Sequence, residues 1–366
     1  MYQPSIVLWT VYIALILSGL FLKRSRVYDV AVIIFMGILA LLNTKAADLQ
    51  NIYMPIYSNP DLYVATMDPG WIFLCKIGSL LGLSYNGFAC IVAMIATAIF
   101  AYYGRRATPN ESFFLALFLV YPGLMSLVQF RQFVASAVAL IAVLELSKGG
   151  KRGWISFVIA ILLAFSFHRT AIIVGTVALM PLFTKFGKRG RFLAIGIALI
   201  ILIYVTVHAV SLSNFFFGDY RTSVYLGETS LDNRENSFFG GLRNAAYTVG
   251  LCLFVPYCSK LMLADGWEQK RRLLNLISFA NISIVAVLPF FFITNDFMRF
   301  ERYAFSLGLT VFAGMPYIRN RHVLFSCKAF LLFVCFLFCY SLVIKGTFDS
   351  VIGALLSFDY VPSFFV

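Results

Sequence analysis

In the stretch FSFHRTA, residues 165–171, a histidine and an arginine stand side by side between two apolar runs. A neutral imidazole accepts a proton, and the Arg169 cation beside His168 favours that neutral form, the state a general base needs. Arg131, in YPGLMSLVQFRQFVASAVAL, has no acidic residue within ten positions, so its partner must come from a distant part of the chain or from a ligand. Arg299, Arg302, Arg221, Arg234 and Arg243 complete a set of arginines at helix ends or in loops. A guanidinium is permanently charged and presents a planar fork of donors that matches phosphate oxygens. Several converging at one face would form a receptor for a lipid-linked phosphate or diphosphate. Asp48, Asp61, Asp68 and tyrosines 53, 57 and 63 fall between residues 43 and 69. Asp219, Tyr220, Tyr225, Glu228, Asp232 and Glu235 fall between residues 211 and 243. Carboxylates bond sugar hydroxyls, and aromatic faces cover the apolar side of a pyranose.

Each of these residues also has a purely structural reading. Arg299 follows Asp296 by three positions and Arg302 follows Glu301 directly, so either could belong to an ion pair at a helix end. Asp68 precedes Pro69 and Gly70, the place of a helix N-cap. A histidine at a helix end is commonly a hydrogen-bonded structural residue, and the tyrosines could form an interfacial belt.

The elements that must position these groups are membrane helices. Hydrophobic residues make up 61% of the 366 and charged residues only 12%, about half the charged share of a water-soluble globule. Apolar runs near the length that crosses a bilayer occur at 4–22, 27–42, 86–104, 111–128, 131–147, 153–168, 170–185, 191–210, 244–262, 273–293, 303–318 and 323–344. The reading is an all-α polytopic protein of about twelve transmembrane helices, one integral domain over residues 1–366. Residues 69–82 are apolar but short and contain Lys76, and they are expected to form a half-embedded helix. The first run carries Lys23, Arg24 and Arg26 after it, and it is expected to be a retained helix and not a cleaved leader. The seven cysteines show no metal-ligand spacing, so no metal is expected.

Cytoplasmic connections collect Lys and Arg. With Lys23 to Arg26 inside, strict alternation sends Arg105 and Arg106, Lys148 to Arg152, Lys185 to Arg191, Lys260 to Arg272 and Arg319 to Lys328 inside as well. That inner face holds 19 basic and 5 acidic residues, the outer face 10 and 11. The net charge of +13 is thus explained by topology, without nucleic-acid binding. Residues 43–69 and 211–243 become the long outer loops, and the seven arginines are left on the side where topology gives no reason for them.

The stretches DLQNIYMPIY (48–57), DPGWIFLCKIGSLLG (68–82), FRQFVASAVAL (130–140) and FSFHRTAII (165–173), in this order and spacing, resemble the EpsG-type branch of the Wzy polymerases. The second half adds MRFERYAF (298–305) and DYVPSFF (359–365). Many relatives carry Glu-Pro-Gly where this chain has Asp68-Pro69-Gly70, a difference that keeps the carboxylate and shortens its reach. The resemblance implies a GT-C-like glycosyltransferase in the bacterial inner membrane with its active site on the periplasmic side. It would use undecaprenyl-pyrophosphate-linked oligosaccharides as donor and acceptor, without metal or other cofactor. Membrane lipids and a chain-length-regulating membrane protein of the same pathway are the further partners implied. On that reading Arg131, Arg299 and Arg302 stabilise the pyrophosphate leaving group, His168 is the first candidate for the base, and Asp68 and Glu301 stand in reserve. Asp48, Tyr53, Asp61, Arg169, Arg221, Arg234 and Glu301 are the candidate substrate-binding residues. A lipid-linked oligosaccharide flippase and an O-antigen ligase are the rival readings. A flippase should carry charge inside its spans, whereas here the spans are nearly clean.

Overall fold

The computed structural model describes residues 5–46, 48–181, 238–292, 298–343, 355–357 and 363–365. Its helices are α1 (Ile6–Phe21), α2 (Arg26–Leu42), α3 (Met54–Ser58), α4 (Pro69–Leu80), α5 (Tyr85–Ala107), α6 (Glu111–Phe118), α7 (Leu124–Val128), α8 (Phe130–Lys148), α9 (Gly150–Phe167), α10 (Ile172–Gly175), α11 (Phe238–Ala264), α12 (Arg271–Ser283), α13 (Met298–Gly314) and α14 (Arg321–Val343). Among the described residues, pairing of strand type is confined to a bridge between Leu83 and Phe365. Several starts are fixed by side-chain caps: Ser25 accepts from Tyr28 N, Ser84 from Gly87 N and Asn110 from Phe113 N.

Six helical stretches among the described residues are long and apolar enough to cross a membrane: Tyr85–Ala107, Glu111–Val128, Phe130–Lys148, Gly150–Phe167, Gly240–Ala264 and Glu268–Leu288. The chain is a multi-pass membrane protein. Its outward faces are apolar where lipid would cover them: Ile155, Ile159 and Leu162 of α9 and Ile6, Val7 and Phe21 of α1 are exposed. Between the helices, the Phe100 and Phe118 rings pack with centroids 4.4 Å apart, tilted by 33°, and the Tyr103 hydroxyl meets Thr310 Oγ1 at 2.9 Å, tying α5 to α13.

Most expected spans are helices over nearly the same residues, and the departures have local causes. The span at 111–128 is broken at Tyr121 and Pro122, where Pro122 cannot donate to the ladder and holds the residue before it extended. The span expected at 170–185 is a short apolar helix over Arg169–Leu179, in which 3-10 and α turns alternate. His168, with φ −159° and ψ 115°, ends α9, and Arg169–Ala171, Ile172–Gly175 and Thr176–Leu179 follow as short turns. Six β-branched residues, Thr170, Ile172, Ile173, Val174, Thr176 and Val177, stand in that stretch with Gly175, a composition that weakens the α-helix. The span at 273–293 passes from α12 into 3-10 turns at Ile284. The span at 191–210 and most of the loop at 211–243 lie outside the described residues, while Phe238 already belongs to α11. The loop at 43–69 is partly helical over Leu49–Tyr63, because Leu49, Tyr53, Ile56 and Tyr57 recur at helical spacing and are buried. Residues 69–80 form a 12-residue helix of about 18 Å, too short to cross the membrane.

The α8–α9 hairpin does most to place the site. Gly149 and Gly150 have φ of +79° and +68°, a conformation that favours glycine, and they reverse the chain within two residues. A 19-residue arm descends and an 18-residue arm returns, about 28 and 27 Å long. Arg131 at the start of α8 is therefore brought level with His168 at the end of α9. The N-terminus of α4 closes on the same end: a Cβ on Gly70 would meet the Ser166 carbonyl oxygen at 2.9 Å. At the opposite end the basic connections gather. Arg105 pairs with Asp29 and with Glu111 (2.8 Å), Arg24 donates to the Arg105 carbonyl (3.0 Å), and Lys270 donates to the Arg106 carbonyl (2.6 Å).

Candidate active site

At the hairpin's open end a pocket is lined by Asp48, Ile52, Tyr53, Gln129, Arg131, Gln132, His168 and Arg299. These residues come from four places in the chain: the turn at 48–53, the start of α8, the end of α9 and the start of α13. The enclosed part has room for about 10 Å³, about one water molecule, and the space reaches about 290 Å³ when counted to the open mouth.

Arg131 is 4% exposed and donates through Nη1 to Oδ2 of Asp68, itself 7% exposed. The distant partner that its sequence neighbourhood lacks is this carboxylate, 63 residues away. Asp68 occupies the N-cap position of α4, but its side chain makes no capping hydrogen bond, so the structural reading of Asp68 as a cap fails. The carboxylate bridges two cations instead, with its Oδ1 3.6 Å from Arg169 Nε. Arg131 also reaches Met67 Sδ at 3.4 Å and lies beside the Tyr53 hydroxyl. Tyr53 packs edge-on against Trp71 at 5.6 Å. Burial raises the Tyr53 phenol above its usual range, an effect that the Arg131 cation opposes.

His168 is buried, and its Nδ1 meets Thr170 Oγ1. The Thr170 hydroxyl donates onward to the Tyr303 hydroxyl at 3.4 Å. With its proton used there, the Thr170 oxygen accepts from Nδ1–H, which leaves the imidazole lone pair on Nε2. With the ring neutral, that is the arrangement of an oriented base.

The α13 arginines are held by α8. Gln132 donates through Nε2 to the Arg299 carbonyl, while Arg302 Nη1 donates to Gln129 Oε1 and, at 3.3 Å, to Gln132 Oε1. Arg302 is buried one layer behind the lining. Glu301 is 1% exposed, outside the lining, and turns toward Thr248 of α11; neither carboxylate oxygen has a hydrogen-bond partner among the described residues.

The expected site residues thus separate. Asp48, Tyr53, Arg131, His168 and Arg299 line one pocket, with Asp68 and Arg302 one contact away and Arg169 meeting Asp68. Asp61 does not join them: it forms an ion pair with Lys76 at 2.5 Å in which the two side chains are 84% and 48% exposed. Arg243 bonds Asn244 Oδ1 at 3.4 Å and is absent from the lining. Arg221, Arg234 and Asp296 lie outside the described residues. Gln129, Gln132 and Thr170 were missed by reasoning from charge, since none is titratable. The available signal was two glutamines at i, i+3 around Arg131 and a hydroxyl two residues after His168.

The model that defines the EpsG family matches residues 26–360, and the chain belongs to that family. No curated protein and no solved structure matches it.

Proposed function

We propose that this EpsG-family chain is a polysaccharide polymerase that joins undecaprenyl-pyrophosphate-linked repeat units of an O-antigen or exopolysaccharide at the periplasmic face of the bacterial inner membrane. The observation that carries this reading is the convergence of Arg131, Arg299 and His168, from three separate helix ends, on one pocket. Family membership supports it. The full fold on this reading is GT-C-like with about twelve transmembrane helices, and the basic end of the bundle faces the cytoplasm. A chain-length-regulating membrane protein is the partner to look for.

The chemistry follows from the groups present. A hydroxyl of the incoming unit attacks the anomeric carbon of the growing chain, and its proton passes to His168 Nε2. The bond from that carbon to the pyrophosphate oxygen breaks, and the electron pair leaves with undecaprenyl pyrophosphate. Negative charge grows on the leaving oxygens, and Arg131 and Arg299, with Arg302 behind them, stabilise it. Asp48 and Tyr53 offer an acceptor and a hydroxyl to the sugars. Asp68 serves as the counter-ion that holds Arg131 and Arg169 in place. Because the enclosed room is about that of one water, a diphosphate enters only if the 48–53 wall or the lining side chains part.

The test is the product made by cells carrying Arg131→Lys, which keeps the charge and loses the planar fork. We expect loss of the ladder of chain lengths with protein level intact; a normal ladder would remove Arg131 from the site. In cells carrying the unsubstituted chain, a single transfer to lipid A-core would identify a ligase. Relocation of the lipid-linked unit without a new bond would identify a flippase.

A further inference from the structure

The arginines of the site are compensated in two different ways. Arg131 faces a carboxylate, Asp68, which cancels its charge. Arg302 faces two amides, and among the described residues no carboxylate makes an ion pair with it. Its sequence neighbour Glu301 makes no ion pair with it among the described residues and turns toward Thr248. Among the described residues the Arg302 guanidinium is thus bonded by neutral groups, the Gln129 and Gln132 amides and the Tyr121 hydroxyl.

This arrangement fixes which way the amides point. A guanidinium only donates, so Gln129 and Gln132 must turn their oxygens to Arg302 and their nitrogens away. Gln132 then spends its nitrogen on the Arg299 carbonyl, which ties α8 to α13. Gln129 lines the pocket with its oxygen already occupied, so its two N–H donors are the polar end left for what enters.

We propose that Gln129 is an anion-binding residue of the pocket, its N–H donors aimed by the Arg302 guanidinium that holds its oxygen, and that its ligand is the diphosphate of the lipid carrier. The proposal rests on the function reading above and extends it to a residue with no charge of its own. A glutamine is suited to the position for a physical reason. A glutamate there would bond Arg302 more strongly but would present an acceptor and a negative charge to the ligand.

That difference gives opposite outcomes for binding and for structure. The chain in lipid nanodiscs is titrated with inorganic pyrophosphate and, in a second arm, with farnesyl diphosphate, and thermal unfolding is followed in parallel. Gln129→Glu is expected to unfold no earlier than the unsubstituted chain and to bind both probes at least about tenfold more weakly. Gln129→Met, isosteric and uncharged, should weaken both less. Tighter binding of farnesyl diphosphate than of pyrophosphate marks a lipid-linked ligand, and equal binding marks recognition of the headgroup alone; either supports the proposal so long as Gln129→Glu weakens it. Undiminished binding by Gln129→Glu overturns the proposal alone. So does undiminished binding by Arg302→Met, the arm that decides if Gln129→Glu fails to fold. No binding of either probe by the unsubstituted chain overturns the function reading and this proposal together.

Discussion

The Arg131–Asp68 pair supports a prediction whose size can be worked from its surroundings. Both side chains are more than nine-tenths buried, and removing one partner of such a pair leaves an uncompensated charge at a cost of about 3–5 kcal/mol. The two deletions should not cost the same. Arg131→Met leaves Asp68 with Arg169, 3.6 Å away and one-third exposed, so its cost falls near 3 kcal/mol, the lower end of that range. Asp68→Asn leaves the Arg131 guanidinium with the Tyr53 hydroxyl and Met67, both uncharged, so its cost falls near the upper end, about 5 kcal/mol. In the double variant no stranded charge remains from the pair, and it should be more stable than Asp68→Asn alone while still making no polymer. Reversible unfolding in mixed detergent micelles, followed by circular dichroism, measures the three costs, and a polymer ladder measures function. If the double variant loses the sum of the single losses within about 0.5 kcal/mol, the two residues do not act as a pair and the argument is wrong.

The other predictions concern single positions. His168→Ala should lower turnover by about 10²–10⁴-fold while pyrophosphate binding is kept, and Thr170→Val should lower it less by freeing the ring. Near-normal turnover in His168→Ala, read from lipid-linked product formation in vesicles, would pass the base role to a carboxylate. Gly70→Val puts a side chain against Ser166 and should cost about 1–3 kcal/mol as an overpacked contact. Lower monodisperse yield in size-exclusion chromatography and loss of polymer are expected, and normal values of both would mean that α4 and α9 do not meet closely. Asp61→Asn breaks an ion pair at an exposed site, so stability should change by no more than about 1 kcal/mol. Its polymer ladder should be normal, and loss of that ladder would restore Asp61 to the substrate-binding set.

Helix placement was legible because a bilayer leaves only the helix as a way to satisfy the backbone in a run of apolar residues. The limits of that rule show at Tyr121–Pro122, where proline breaks the helix, and at Arg169–Leu179, where a β-branched run alternates 3-10 with α turns. The charged members of the site were legible for a related reason: on the orientation read from the basic clusters, Arg131 and Arg299 fall at the face where no cation is expected. Their arrangement was not. That Asp68 would answer Arg131 depends on α4 meeting the end of α9 at Gly70, a contact between segments nearly a hundred residues apart. Gln129, Gln132 and Thr170 were hidden because amides and hydroxyls carry no charge asymmetry, and their importance lies wholly in what they touch. Asp61 misled for the converse reason, since a carboxylate in a promising loop also serves as half of a surface ion pair.

The two arms of the α8–α9 hairpin act as matched rulers. Losing one residue from either arm would swing its terminal side chain by about 100° and draw it back by about 1.5 Å, so Arg131 and His168 would no longer face a common substrate. Drift in arm length among sister chains should therefore come in compensating pairs, an insertion in one strut answered in the other, while the Gly149–Gly150 reversal between them stays short. For anyone re-engineering this scaffold, amino acids along the hairpin can be exchanged far more freely than their number can be changed.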